Sequence, residues 1–254
     1  MNIGFIGTGQ ITKAVVLGIT RSKIKYKKIL ISRRNNKISK YLKNINKKIK
    51  ISSDNQFIIN NSDWIFLAVT PDVGKKILKK LNFRSNKIII SFISTIKLNE
   101  LKTLTNKKAT VVRAIPLPPI SIMKGPVPLF PKNSKISKFF NNIGDSININ
   151  NETSSLKFWA TSSLMAPYYE LLFEVSKWLQ KKGLSKSYSQ KYVSSLFSAL
   201  SEVAVMRSDR DLKLLVKDSQ TPKGLNEQTL KFLKKKGVYK QLNFSLEKIL
   251  KRLK

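Results

Sequence analysis

The opening fourteen residues, MNIGFIGTGQITKA, constrain this chain more tightly than any other stretch. Ile3, Phe5 and Ile6 make a short apolar run, and Gly7, Gly9 and Thr12 follow it at the spacing of a dinucleotide-binding turn. The pattern predicts a buried first strand, a tight turn and a helix start. Gly7 can bend the chain sharply, Gly9 lets the backbone approach a pyrophosphate, and free amides at the helix N-terminus face the anion. Gly7, Thr8, Gly9, Gln10 and Ile11 are therefore candidate cofactor contacts. The third position of such a turn ordinarily holds Gly or Ala, so Thr12 is a departure.

Alternating elements follow. Gln10 to Thr20 reads as the first helix and Lys28 to Ser32 as the second strand. The end of that strand is where a dinucleotide fold reads the adenosine ribose. An Asp or Glu there favours NAD through the 2'-hydroxyl, whereas Ser32, Arg33, Arg34 and Asn35 offer a hydroxyl and two guanidinium forks suited to a 2'-phosphate. NADP(H) is the expected cofactor. Further strands are predicted at Ile49 to Ser52, Trp64 to Val69, Lys87 to Phe92 and Thr110 to Ala114. Helices are predicted at Asn55 to Asn60, Pro71 to about Lys80, and Leu98 to Thr105. This alternation predicts the α/β class, with a Rossmann-type doubly wound, mostly parallel sheet. Arg113 to Pro119 is too rich in proline for regular structure and reads as a rigid loop where open sheets bind ligands. Pro126 to Phe130 and Ser146 to Ile149 read as edge strands flanking a helix over Ile136 to Asn142.

From Glu152 onward the pattern turns helical. Thr153 to Lys182 is long and amphipathic, interrupted at Pro167; Ser187 to Ser208, Leu212 to Lys217, Leu225 to Lys236 and a final stretch to about Leu253 follow. Two domains are expected: a dinucleotide-binding domain over residues 1–150 and an all-helical dimerisation and substrate domain over 151–254. Helices with apolar residues on more than one face, such as Tyr192 to Val205, need a partner surface, which predicts a homodimer or higher homo-oligomer.

Composition narrows the chemistry. The chain has no His, which removes His-based acid/base catalysis and Ser-His-Asp chemistry, and no Cys; no metal site is expected. Its 49 basic and 14 acidic residues give a formal charge of +35, which brings a nucleic-acid partner into consideration. The lysines run along the whole chain beside Ile and Asn, as in Asn44 to Lys50, and this favours compositional drift over a dedicated nucleic-acid surface. The field would still attract anionic cofactors and carboxylates in a salt-dependent way. The longest apolar runs are strand-sized, so no membrane span is expected, and without a signal-peptide pattern the default location is cytoplasmic.

Five segments in order resemble the pyrroline-5-carboxylate reductase family. The first is IGFIGTGQIT, with Gln10, Ile11 and Thr12 where the family usually has Asn, Met and Ala. Leu67-Ala68-Val69-Thr70-Pro71 is similar to the family's A-V-K-P segment, with Thr70 replacing a lysine. Arg113 to Ile120 is similar to R-A-M-P-N-T-P-A, with Leu117 and Pro118 in place of Asn-Thr. Ala166-Pro167-Tyr168-Tyr169 falls where the family has G-P-A-Y. Gln220 to Gln228 resembles the S-P-G-G-T-T signature, keeping Pro222 and Gly224 but placing Lys223 on a glycine.

The resemblance implies NADPH-dependent reduction of a cyclic imine bearing a carboxylate, pyrroline-5-carboxylate to proline, in a dimer whose active site lies between the cofactor domain and a helix pair. It implies cofactor contacts at Ala68, Val69, Thr70, Pro71 and Pro116, and a small anionic imino acid on the amides of Gly224, Leu225 and Asn226. Thr221 and Asn226 become the catalytic candidates, Asn226 standing where the family has a hydrogen-bonding Thr. Read without the family, Thr221 to Gln228 is a helix N-cap, with Thr221 capping a helix opened by Pro222. Two rivals remain open. A β-hydroxyacid dehydrogenase needs a lysine acid/base that Ser163 to Leu172 lacks, although Lys157 lies nearby; a non-enzymatic binder of nucleic acid would show steep salt dependence and indifference to NADPH.

Overall fold

The early strands are continuous apolar runs, and successive side chains point alternately to the two faces of one sheet. The computed structural model describes residues 1–253. In chain order, the first unit contains β1 (Asn2–Ile6), α1 (Gln10–Arg21), β2 (Lys28–Ser32), α2 (Asn36–Ile45), β3 (Ile49–Ser52), α3 (Asn55–Asn60) and β4 (Trp64–Leu67). It continues through α4 (Pro71–Leu78), β5 (Ile88–Ser91), α5 (Leu98–Leu104), β6 (Thr110–Ala114), β7 (Pro126–Phe130), α6 (Ser134–Phe140) and β8 (Asp145–Asn148). The strands form one sheet in the order β3-β2-β1-β4-β5-β6-β7-β8, parallel throughout except between β6 and β7. This is the doubly wound, mostly parallel architecture.

On β2, Ile29 and Ile31 face a core shared with Val15 and Ile19 of α1, Leu42 of α2 and Phe139 of α6. Leu30 between them faces the opposite core, with Ile58 of α3, Leu78 of α4 and Leu101 of α5. Strands buried on both sides must be apolar at every position, which is why β4 reads WIFL without a polar residue. An aromatic stack crosses the sheet centre: Phe5 lies 4.6 Å from Phe66, which also meets Phe92 at 5.5 Å and Phe139 at 5.8 Å.

Several elements differ from the sequence expectation. α2 forms where no element is expected; Ile38 and Leu42 are its buried apolar positions, and its start is set by the Asn35 side chain, which accepts from the Ile38 amide at 3.1 Å. Pro118–Ile122 makes a 3-10 turn inside the proline-rich loop. This turn rests on α1: a Cβ on Gly18 would lie 2.4 Å from the Ile120 carbonyl oxygen, and Arg21 donates to the Ser121 carbonyl at 2.7 Å. β7 is an inner strand, although prolines lacking N–H groups make it read as an edge; its pairing with β6 is confined to Arg113 with Phe130 and Ala114 with Leu129.

By contact, the chain divides into residues 1–159 and 160–252. The helices are α7 (Glu152–Ser162), α8 (Met165–Lys181), α9 (Lys186–Met206), α10 (Lys213–Asp218), α11 (Leu225–Lys235) and α12 (Val238–Leu253). The long helix expected from Thr153 is two, broken at Ser163 and Leu164. Pro167 does not interrupt it but sits in the first turn of α8, where a missing N–H has no intrahelical partner to lose. Among the described residues of the second unit, only Ala160, Ser176, Ser189 and Val193 are buried. No helix of the described residues is long and apolar enough to cross a membrane.

Because Phe66 is fully buried and in contact with three other rings, Phe66→Ala should cost about 3–5 kcal/mol of stability. Urea denaturation of the two proteins measures this as a fall in midpoint.

Candidate functional site

Strand order reverses around β1, whose neighbours β2 and β4 lie on opposite sides, and the crevice beyond the carboxyl ends of these strands is where such sheets bind ligands. Gly7 closes β1 with a φ of +101°, and a Cβ there would stand 2.3 Å from the Ala68 carbonyl oxygen, so no other residue fits. Gly9 is different: a Cβ on it would meet nothing within 4 Å. Its missing side chain leaves open space over the start of α1, where the first-turn amides have no intrahelical partner and no side chain caps them. Thr12 is fully buried and donates its hydroxyl to the Gly7 carbonyl at 2.8 Å, so the departure from Gly or Ala ties down the turn.

Two adjoining clefts open here, of about 470 and 510 Å³, sharing Gly7, Arg34, Asn36 and Val69. Of the residues expected from sequence, Ser32 and Arg33 line the first, and Thr8, Gly9, Ala68 and Thr70 the second. The clefts thus bring together the glycine turn, the end of β2 and the end of β4. Arg33 and Arg34 are exposed at the rim, while the Ser32 hydroxyl is turned inward and accepts from the Gly7 amide at 2.9 Å. Gln10, Ile11, Pro71 and Pro116 line neither cleft: the first two lie in the opening turn of α1, Pro71 opens α4, and Pro116 is buried beyond β6. Ile6, Asn36, Ser53, Asn55, Val73 and Ile77 complete the wall of the first cleft. Nothing in the sequence marks them as cleft residues, because they come from different elements. An open approach at Gly9, free helix-start amides, apolar walls at Val69, Val73 and Ile77, and two guanidinium groups at the rim fit a phosphorylated dinucleotide.

The loop after β6 is anchored by charge. Arg113, only 5% exposed, donates to Glu152 Oε1 at 2.6 Å and to the Ser94 carbonyl, and the same Glu152 oxygen accepts from the Leu98 amide at 2.6 Å. The ends of β5 and β6 are thus pinned to the start of α7. Leu117 and Pro118 follow this anchor and present no side-chain hydrogen-bonding group.

The remaining candidates lie in the helical unit. α11 opens at Leu225 with Gly224 as its N-cap, so Thr221 and Pro222 belong to the preceding turn and Thr221 does not cap the helix. Gly224 is tightly placed: a Cβ would lie 2.2 Å from Thr221 Oγ1. Asn226 donates its side-chain amide to the Ser219 carbonyl at 2.8 Å. Glu227 accepts from the Lys223 amide at 2.7 Å and pairs with Lys231 at 2.7 Å. The Lys231 ammonium first, then the Lys223 amide, hold the Glu227 carboxyl below the usual carboxylate range. Thr221, Pro222 and Glu227 face a cleft of about 630 Å³ that also touches Lys213, Lys217 and Lys234.

Lys223 has φ +62°, the left-handed conformation that glycine tolerates best. Lys223→Gly should therefore raise stability by about 1 kcal/mol, read as an increase in urea midpoint.

Comparison with known proteins follows the same lines. Residues 2–95 match the family described as NADP oxidoreductase, coenzyme F420-dependent. The chain is similar to the pyrroline-5-carboxylate reductase of Haemophilus influenzae, with 24% identity over 204 residues, covering 76% of this chain and 73% of that one. Its fold is shared with the 1-pyrroline-5-carboxylate reductase of Streptococcus pyogenes at 19% identity and a TM-score of 0.84, covering 100% of this chain and 98% of the other. It is shared equally with the Plasmodium falciparum pyrroline carboxylate reductase solved with NADP bound, at 22% identity and a TM-score of 0.84, covering 100% and 97%.

Proposed function

We propose that this chain, a divergent member of the pyrroline-5-carboxylate reductase family, is an NADPH-dependent oxidoreductase that reduces the C=N bond of a small cyclic imino acid, with pyrroline-5-carboxylate, giving proline, as the substrate. The observation that carries this reading is the pair of adjoining clefts, where a helix start open at Gly9 adjoins Arg33 and Arg34. Bound NADPH supplies a hydride to the imine carbon. A protonated imine needs little beyond orientation and exclusion of water, which suits a chain without His. In this reading the amides at the start of α1 take the pyrophosphate, and the two guanidinium groups take the 2'-phosphate. The Arg113–Glu152 pair holds the Pro116 loop still. The Gly224 amide is already committed to the Thr221 carbonyl at 2.8 Å, so the Leu225 and Asn226 amides at the start of α11 take the substrate carboxylate, favoured by the dipole of an eleven-residue helix. Thr221 and Asn226 lie beside that carboxylate, and Asn226 is already oriented by Ser219.

The same reading includes a homodimer. Trp178, Tyr192 and Leu200 are 58%, 62% and 57% exposed on α8 and α9, and a helical unit with so few buried residues has its apolar surface still to cover. Sedimentation equilibrium should give twice the chain mass or a higher multiple; a monomer at micromolar concentration would remove this part of the proposal.

The enzymatic reading is tested by following NADPH oxidation with pyrroline-5-carboxylate. Turnover above background supports the substrate, and binding of NADPH without turnover moves the reading to another imine, as the unpolar Leu117-Pro118 pair would accommodate. Arg34→Ala should weaken NADPH about tenfold while leaving NADH nearly unchanged, measured by calorimetry.

A further inference from the structure

Ser32 stands at the end of the strand that would read the adenosine ribose and lines the first cleft, yet its hydroxyl is bonded to the glycine turn. Its hydroxyl accepts from the Gly7 amide at 2.9 Å and lies 3.1 Å from Thr8 Oγ1, while Thr8 Oγ1 donates to the Ser32 carbonyl at 2.5 Å. The protons allow one arrangement. Thr8 spends its only proton on the Ser32 carbonyl, so the Ser32 hydroxyl must donate to Thr8 Oγ1 and accept from Gly7. The result is a chain of hydrogen bonds running one way, from the Gly7 amide through both hydroxyls to the Ser32 carbonyl. Chains of this kind strengthen one another away from water, and Gly7, Thr8 and Ser32 are all buried. The next residue is held from the far side, where the Arg33 amide donates to the Ser52 carbonyl at 3.0 Å.

Phosphate oxygens are acceptors and require donors. With its proton committed, the Ser32 hydroxyl has none to offer, so the 2'-phosphate would be read by the arginines and not by this serine. We propose that Ser32 and Thr8 are positioning residues: their hydroxyls lock the glycine turn to the end of β2, so that the site for the pyrophosphate and the site for the adenosine end are set at a fixed spacing before the coenzyme arrives. The inference rests on the reading of these clefts as a coenzyme site. Preorganisation of this kind acts on every dinucleotide alike, because the pyrophosphate and ribose are common to NADPH and NADH.

Calorimetric titration of the full chain with NADPH and with NADH tests this, using Ser32→Ala, Thr8→Val and Thr8→Ser. Ser32→Ala and Thr8→Val should each weaken both coenzymes by the same factor, about tenfold, and Thr8→Ser, which keeps the hydroxyl, should restore affinity to within about twofold. The apo melting temperature, measured alongside, separates this from general loss of structure: a purely structural role would lower it and leave the affinity of the folded protein as it was, which would overturn the proposal. So would a loss confined to NADPH in Ser32→Ala, which would make the serine a direct phosphate contact, or undiminished affinity in both Ser32→Ala and Thr8→Val. If Ser32→Ala does not fold, the Thr8→Val and Thr8→Ser pair decides by the same criteria. Failure of the unaltered chain to bind either coenzyme would instead remove the coenzyme reading itself, and the inference with it.

Discussion

The approach of Gly7 to the Ala68 carbonyl is the contact on which the rest of the site depends. A left-handed residue at the end of β1, with no room for a Cβ, lets the chain turn back over the end of β4 and enter α1 with its amides exposed. Any side chain there would clash with the Ala68 carbonyl and push the turn away from the end of β4. Around this one contact the molecule adds small polar ties rather than bulk. Thr12 bonds back to Gly7, and Ser32 and Thr8 join the turn to β2.

Charge is used unevenly. With 49 basic against 14 acidic residues, the cations far outnumber the acids and act as a diffuse field attractive to anions. The few acids in ion pairs do specific work. Glu152 neutralises the buried Arg113 and at the same time accepts from the Leu98 amide, so that one carboxylate orients three segments at the carboxyl end of the sheet. A buried guanidinium without such a partner would be strongly destabilising. Glu227 plays a comparable part in the helical unit, holding the left-handed Lys223 in place through its amide while pairing with Lys231. At Lys223 the chain adopts a backbone shape that glycine tolerates best and supports it with an additional hydrogen bond.

The two units are stabilised by different means. The first has complete cores on both faces of its sheet, with aromatic rings at the centre. In the second, α8 and α9 meet through contacts such as Tyr168 against Phe197, while large aromatic and aliphatic side chains remain in solvent. Such a surface carries a continuing hydrophobic cost until another apolar surface covers it. That physical requirement, and not a contact seen in the single chain, underlies the proposal of a homodimer.

Much of the first unit was legible in the sequence, because doubly buried strands are continuous apolar runs and parallel sheets need intervening helices. The bounds of β2, β3, β6 and β7 follow from such runs, and the glycine turn declares itself through spacing alone. α2 escaped because its buried stripe is thin, and the inner position of β7 escaped because proline content reports missing donors and says nothing of which neighbour lies alongside. At the clefts, the sequence singles out the turn and the arginines but not Asn36, Asn55 or Ile77, which come from different elements and meet only when the sheet has formed. The sequence by itself determined the strand order's starting point and the chemistry available at its ends, since local sterics and hydrophobic period are properties of neighbouring residues. Only the tertiary structure decided which way the Ser32 hydroxyl points and what the Arg113 charge is paired with, because each depends on groups more than twenty residues away whose meeting is a consequence of packing.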